Sequence, residues 1–87
     1  MPKQPKAITR FQTGVRIEKR ILRVLKAIAE QREITLCDLL EGIVLHAFEG
    51  KSPFSEKALV FVADAKKLYG LELSAADSHN LLEEDAP

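Results

Sequence analysis

The sequence predicts a mainly α fold entered through one short N-terminal strand and completed as a homodimer. Three observations predict it. Residues 9–17 alternate between apolar or β-branched and polar side chains. Two amphipathic stretches with helical spacing follow, joined by a short turn. No other segment offers a strand to pair with the first. Side chains swap faces at each residue of a strand, so Thr9, Phe11, Thr13, Val15 and Ile17 share one face. Arg10, Gln12, Gly14 and Arg16 share the other. A strand leaves a row of backbone donors and acceptors to satisfy. The same strand of a second copy, paired about a two-fold axis, is the expected partner.

Size supports the same expectation. A chain of 87 residues is only just above the roughly 70–80 at which a single core holds a fold by itself. A second copy would add buried surface. Hydrophobic residues make up 46% and charged residues 30%, a globular rather than a disordered balance. No apolar run approaches the roughly 20 residues that cross a bilayer, so no membrane partner is expected. Met1 to Lys6 holds no apolar core of a secretory signal. With a single cysteine there is no intrachain disulfide, which fits a cytoplasmic location.

Net charge is zero, but the charges are segregated. Residues 1–32 carry nine basic side chains against two acidic, a net +7. Residues 33–87 carry four against eleven, a net −7. An anionic partner at the basic end and charge balance between halves are both compatible with that pattern.

Residues 1–8 read as a flexible basic arm. After the strand, Ile21, Val24, Leu25 and Ile28 give a first helix over about Glu18 to Gln31, with Leu22 and Ala29 widening its apolar stripe. Lys19, Arg20, Arg23 and Lys26 lie largely off that stripe, as a solvated face or as phosphate contacts. Thr35, with Asp38 three residues on, caps a second helix over about Leu36 to Glu49. Its apolar set is broad enough to serve two neighbours. Gly42 in mid-helix costs about 1 kcal/mol and suggests close approach of another helix. Gly50 is the expected stop.

Ser55 caps a third helix to about Tyr69, ended by Gly70. Ser74 with Asp77 predicts a short fourth helix to about Leu82. Residues 9–50 form the expected core, 51–82 a helical extension, and 83–87 a disordered acidic tail.

Strand, helix, turn and helix in this order resemble the ribbon-helix-helix family of DNA-binding proteins, of the Arc and MetJ type. The residues that carry the resemblance are Thr13-Gly14-Val15-Arg16-Ile17, the helix from Glu18 to Gln31, and Ile34-Thr35-Leu36. It implies a ribbon-helix-helix core, an intertwined homodimer whose paired strands enter the major groove of double-stranded DNA. Base contacts would then come from Gln12, Gly14 and Arg16, with Arg10 just outside. Arginine can pair bidentately with guanine and glutamine with adenine. Gly14 has no side chain to read a base. Phosphate contacts would come from Lys19 and Arg20 and from the amides at Thr35, Leu36 and Cys37. The function implied is transcription regulation as a repressor. Many members of the family are antitoxins, so residues 51–87 are a candidate protein-binding segment. Phe54, Phe61, Tyr69 and Leu71 would be its anchors. A scaffold dimer without DNA binding is the remaining alternative.

Chemistry finds little footing. Gly50-Lys51-Ser52 resembles the end of a phosphate-binding loop, but Leu45 stands where that motif needs glycine. Asp77, Ser78 and His79 are consecutive and do not face one another on a helix. His46 and His79 lack metal-ligand spacing. Cys37, in the first turn of the second helix, has no resolving cysteine. The expectation is a binding protein, not an enzyme, with no catalytic residue, metal or cofactor.

Overall fold

The computed structural model describes residues 4–84. It contains three α-helices, α1 (Lys19–Gln31), α2 (Leu36–Phe48) and α3 (Glu56–Leu68), followed by a single 3-10 turn at Ala75–Asp77. The mainly α reading holds. The N-terminal strand does not: residues 4–18 carry no strand among the described residues, so the ribbon-helix-helix core is absent. The physical reason is the missing edge. Alternation assigns faces, but a strand exists only when its backbone is paired, and the described residues contain no second strand. Phe11 stays 88% exposed and Val15 71% exposed, against the expectation that their face packs on the helices. Of the expected 1–8 arm and 83–87 tail, residues 1–3 and 85–87 lie outside the described residues.

Helix α1 is the centre of the fold, packing on α2 along one side and on α3 along the other. Its stripe supplies Val24, Ile28 and Ala29 to the core. Leu39 comes from α2 and Ala65 from α3. Leu25, Ile34, Ile43, Phe54, Phe61, Val62, Tyr69 and Leu71 close around them, half-buried. No large side chain is fully buried.

All three helices end in the same way. The amides of Ile34, Lys51 and Leu71 reach back to the carbonyls of Ala29, His46 and Lys66 at 3.0, 2.9 and 2.8 Å. This six-to-one bond requires a left-handed residue just beyond the helix. Gly50 (φ 69°) and Gly70 (φ 67°) supply it where the sequence predicts a stop. At α1 the position is Glu33 (φ 58°), whose Cβ makes that conformation costly. Ile34 and Leu71, one residue further on, fold back onto the core.

The expected fourth helix is reduced to one turn. Asp77 accepts the Ser74 amide at 2.8 Å, as the capping pair predicts. His79 then turns left-handed (φ 65°) and the chain runs on without helix. Asp77, Ser78, His79 and Asn80 are poor helix formers, and they outweigh the cap.

Two substitutions test this description by thermal melting. Leu39→Ala, which removes a side chain only 3% exposed, should cost about 2–5 kcal/mol. Glu33→Gly should instead stabilise the chain by about 1 kcal/mol, because glycine adopts that conformation without strain.

Candidate nucleic-acid interface

The N-terminal segment is non-helical and exposed from Gln4 to Arg16, and two side-chain pairs tie it down. Arg10 lies against α2, its guanidinium donating twice to the Glu41 carboxylate, at 2.9 and 2.8 Å. Cys37, one turn before Glu41, also borders it. Arg10 therefore sits beside the first two turns of α2, the same end that carries Thr35 and Leu36. The hydrogen bonds from Arg10 hold the Glu41 carboxyl below the usual carboxylate range, and Glu41 in turn raises Arg10 above the ordinary guanidinium value. Arg16 pairs with Glu83 of the acidic C-terminal segment at 2.7 Å. Both pairs are open to solvent, where such contacts contribute about 0–1 kcal/mol.

Gln12 and Gly14 are exposed and point into open space; a Cβ placed on Gly14 would meet nothing within 4 Å. Thus the four residues expected to read bases all lie on one accessible segment, two of them engaged by carboxylates of their own chain.

The residues expected to hold phosphate divide. Thr35 caps α2, its hydroxyl accepting the Asp38 amide at 3.0 Å. Leu36, half-buried, opens that helix, where the first amides have no intrahelical acceptor. Lys19 is exposed. Arg20, half-buried, is engaged by its own chain, donating to the Glu18 carboxylate at 3.1 Å and to the Gly70 carbonyl at 3.3 Å. It ties the start of α1 to the end of α3.

The spacing in α1 reveals a better basic face than Lys19 and Arg20 together. Lys19, Arg23 and Lys26 fall at i, i+4 and i+7, share one side of the helix, and are all exposed. Among the described residues no carboxylate pairs with them, whereas Arg10, Arg16 and Arg20 are each paired. The i, i+4, i+7 recurrence was present in the sequence as the polar counterpart of the apolar stripe.

The expected protein-binding anchors are placed differently. Phe54, Phe61, Tyr69 and Leu71 are half-buried against the chain's own core. Arg32 lies over the Phe54 ring at 5.7 Å. The exposed apolar residues of the extension are instead Leu59, Val60 and Leu68 on α3, and Leu81 and Leu82 beyond it. His46 is occupied, its Nδ1–H donating to the Gly42 carbonyl at 2.7 Å.

Glu18 is the unexpected member of this region. It is the N-cap of α1, its carboxylate accepting the amides of Arg20 at 2.8 Å and Ile21 at 3.0 Å. Partial burial pushes its carboxyl pKa up, but the two amides and the Arg20 side chain outweigh that, and the net shift is downward. One carboxylate thus offsets the cost of opening α1 with two basic residues.

No family model, curated protein or solved structure matches this chain.

Because the folded-state pKa of Glu18 is depressed, its contribution is present above the unfolded value and lost as pH falls through the folded one. Glu18→Ala should therefore lower stability by about 1 kcal/mol at pH 7. The gap to the parent chain should close as the pH is taken below the model-peptide value of 4.5. Urea melts across that range measure both.

Proposed function

We propose that the chain is a homodimeric DNA-binding regulator of transcription that works in the cytoplasm by binding rather than by catalysis. The observation that carries this reading is the exposed N-terminal region. An exposed, non-helical segment bearing Arg10, Gln12 and Arg16 leads directly into a helix whose open side bears Lys19, Arg23 and Lys26. Side chains that can read base edges and side chains that can neutralise phosphates follow one another along the chain. The segment approaches the duplex as an extended arm. Its two arginines exchange their carboxylate partners for bases or phosphates, while the α1 face holds the backbone.

A second reading is a protein-interaction dimer, antitoxin-like or scaffold-like, with weak or no DNA binding. It is favoured by the exposure of Leu82 (94%) and Leu81 beside an acidic C-terminal segment. Leu81→Glu with Leu82→Glu should then abolish capture of the protein partner and leave duplex binding unchanged.

Titration of duplex DNA at several salt concentrations tests the first reading. Affinity should fall steeply between about 50 and 200 mM salt. Arg23→Ala with Lys26→Ala should flatten the salt dependence by about one unit of slope per phosphate contact removed. Arg16→Ala should cost about 1–3 kcal/mol on a preferred sequence and far less on others. Salt-independent binding, or an Arg16 variant with unchanged affinity and preference, contradicts it.

A further inference from the structure

The chain exposes more surface than a folded monomer of its size should. Its accessible surface is 8130 Å², whereas a compact monomer of this mass exposes about 5,100 Å². Its radius of gyration is 14.8 Å, against roughly 12 Å expected of a compact domain of this length. The non-helical segments over 4–17 and 78–84 account for part of that excess of about 3,000 Å²; an obligate homodimer interface covers roughly 1,000–2,500 Å² per subunit.

Helix α2 carries a part of the exposed surface that is apolar. It is apolar nearly all round, LCDLLEGIVLHAF, yet only Leu39 is buried. A helix of that composition belongs inside a core. Leu39 and Ile43 face α1. On the other side Glu41, Val44, Leu45 and Phe48 recur at i, i+3, i+4 and i+7, the spacing of a helix-packing stripe. Leu45 is 62% exposed and Phe48 80% exposed. Gly42 lies beside Leu45, and a Cβ there would meet nothing within 4 Å, so the chain's own packing gives no reason for that glycine.

We infer that the Glu41–Val44–Leu45–Phe48 stripe of α2 is the seam on which a second copy of this chain docks, α2 against α2. It rests on the dimeric half of the reading above and gives that dimer its surface. A second copy fits on three grounds. The buried core of five residues, two of them alanines, is small, and a second copy on this face would enlarge it. The net charge of zero sets no repulsion between copies. The stripe is apolar along its length and headed by the Arg10–Glu41 pair. A two-fold axis near Leu45 therefore gives each copy an apolar centre and a charged rim, the usual anatomy of an interface.

Sedimentation equilibrium of the full chain without DNA tests the seam. The parent chain should sediment at twice 9.7 kDa at about 10 µM. Leu45→Glu with Phe48→Glu should weaken self-association at least about 30-fold while the helical circular dichroism is retained. Val60→Glu, an equally exposed apolar site on α3, should leave it unchanged. Where the double variant loses its helices, Phe48→Ala decides: self-association weakened in a helical protein supports the seam, and unchanged self-association overturns it. A monomeric parent chain overturns the inference and gives the stripe to a different partner. So does a dimer indifferent to the double variant, or one weakened equally by Val60→Glu. Duplex titration of the same samples separates the two readings. A parent dimer without DNA affinity removes the DNA reading and leaves the seam. A parent monomer that binds DNA removes the seam and the dimeric half of that reading, and leaves its DNA-binding half.

Discussion

Everything in this fold depends on one stripe of α1. α1 packs on both α2 and α3, and Val24, Ile28 and Ala29 are its buried contribution to the core. With Leu39 and Ala65 they make up the buried core among the described residues. Two of those five are alanines, so the enclosed apolar volume is small. The half-buried ring from Leu25 to Leu71 adds area but leaves each member partly wet. At about 25 cal/mol per Å² of apolar surface buried, such a core supplies little beyond the entropy of ordering the chain. Hence the weight carried by the helix ends. Glu18, Thr35 and Ser55 each accept a backbone amide at the start of a helix. The three six-to-one bonds satisfy carbonyls at the other end. In a larger protein these would be refinements; here they are a substantial share of what holds the helices.

The helices were legible because their signals are local. Thr35, Ser55, Gly50 and Gly70 are the residue types that those positions demand, and the apolar spacing fixes the intervening faces. Glu18 and Glu33 were not legible for the same reason. Glutamate belongs neither to the usual cap residues nor to the residues that adopt a left-handed turn. Its roles at those two positions come from geometry that only the folded chain displays. The short fourth helix failed where a correct cap was followed by residues that do not sustain a helix.

The strand failed on different physics. Alternation over residues 9–17 is a statement about faces, and faces are a local property. Pairing is not. The backbone of a strand must find donors and acceptors far away in sequence or on another molecule, and no pattern within nine residues reports whether it does. The expected anchors meet a related limit. Phe54, Phe61, Tyr69 and Leu71 read as anchors because they are large and lie outside the two-helix core. In the fold they are half-buried against the core, which occupies part of each side chain. What the sequence hid was the docking of one helix on another.

Charge segregation gains a structural meaning from this arrangement. The basic N-terminal region and the acidic C-terminal one meet in the Arg16–Glu83 pair, and Arg10 meets Glu41 on α2. Neither pair is buried, so neither locks its arginine. A single exposed carboxylate competes poorly with a duplex, which carries one charge per roughly 1.7 Å of its axis and releases counterions when it is neutralised. On the proposed DNA-binding reading, the intramolecular pairs therefore restrain an otherwise unsupported segment while leaving it able to exchange partners. Lys19, Arg23 and Lys26 would need no such release, because no carboxylate among the described residues engages them. Their shared side of α1 is held rigidly by the stripe on its reverse. The helix that organises the core thus also fixes the orientation of the basic face.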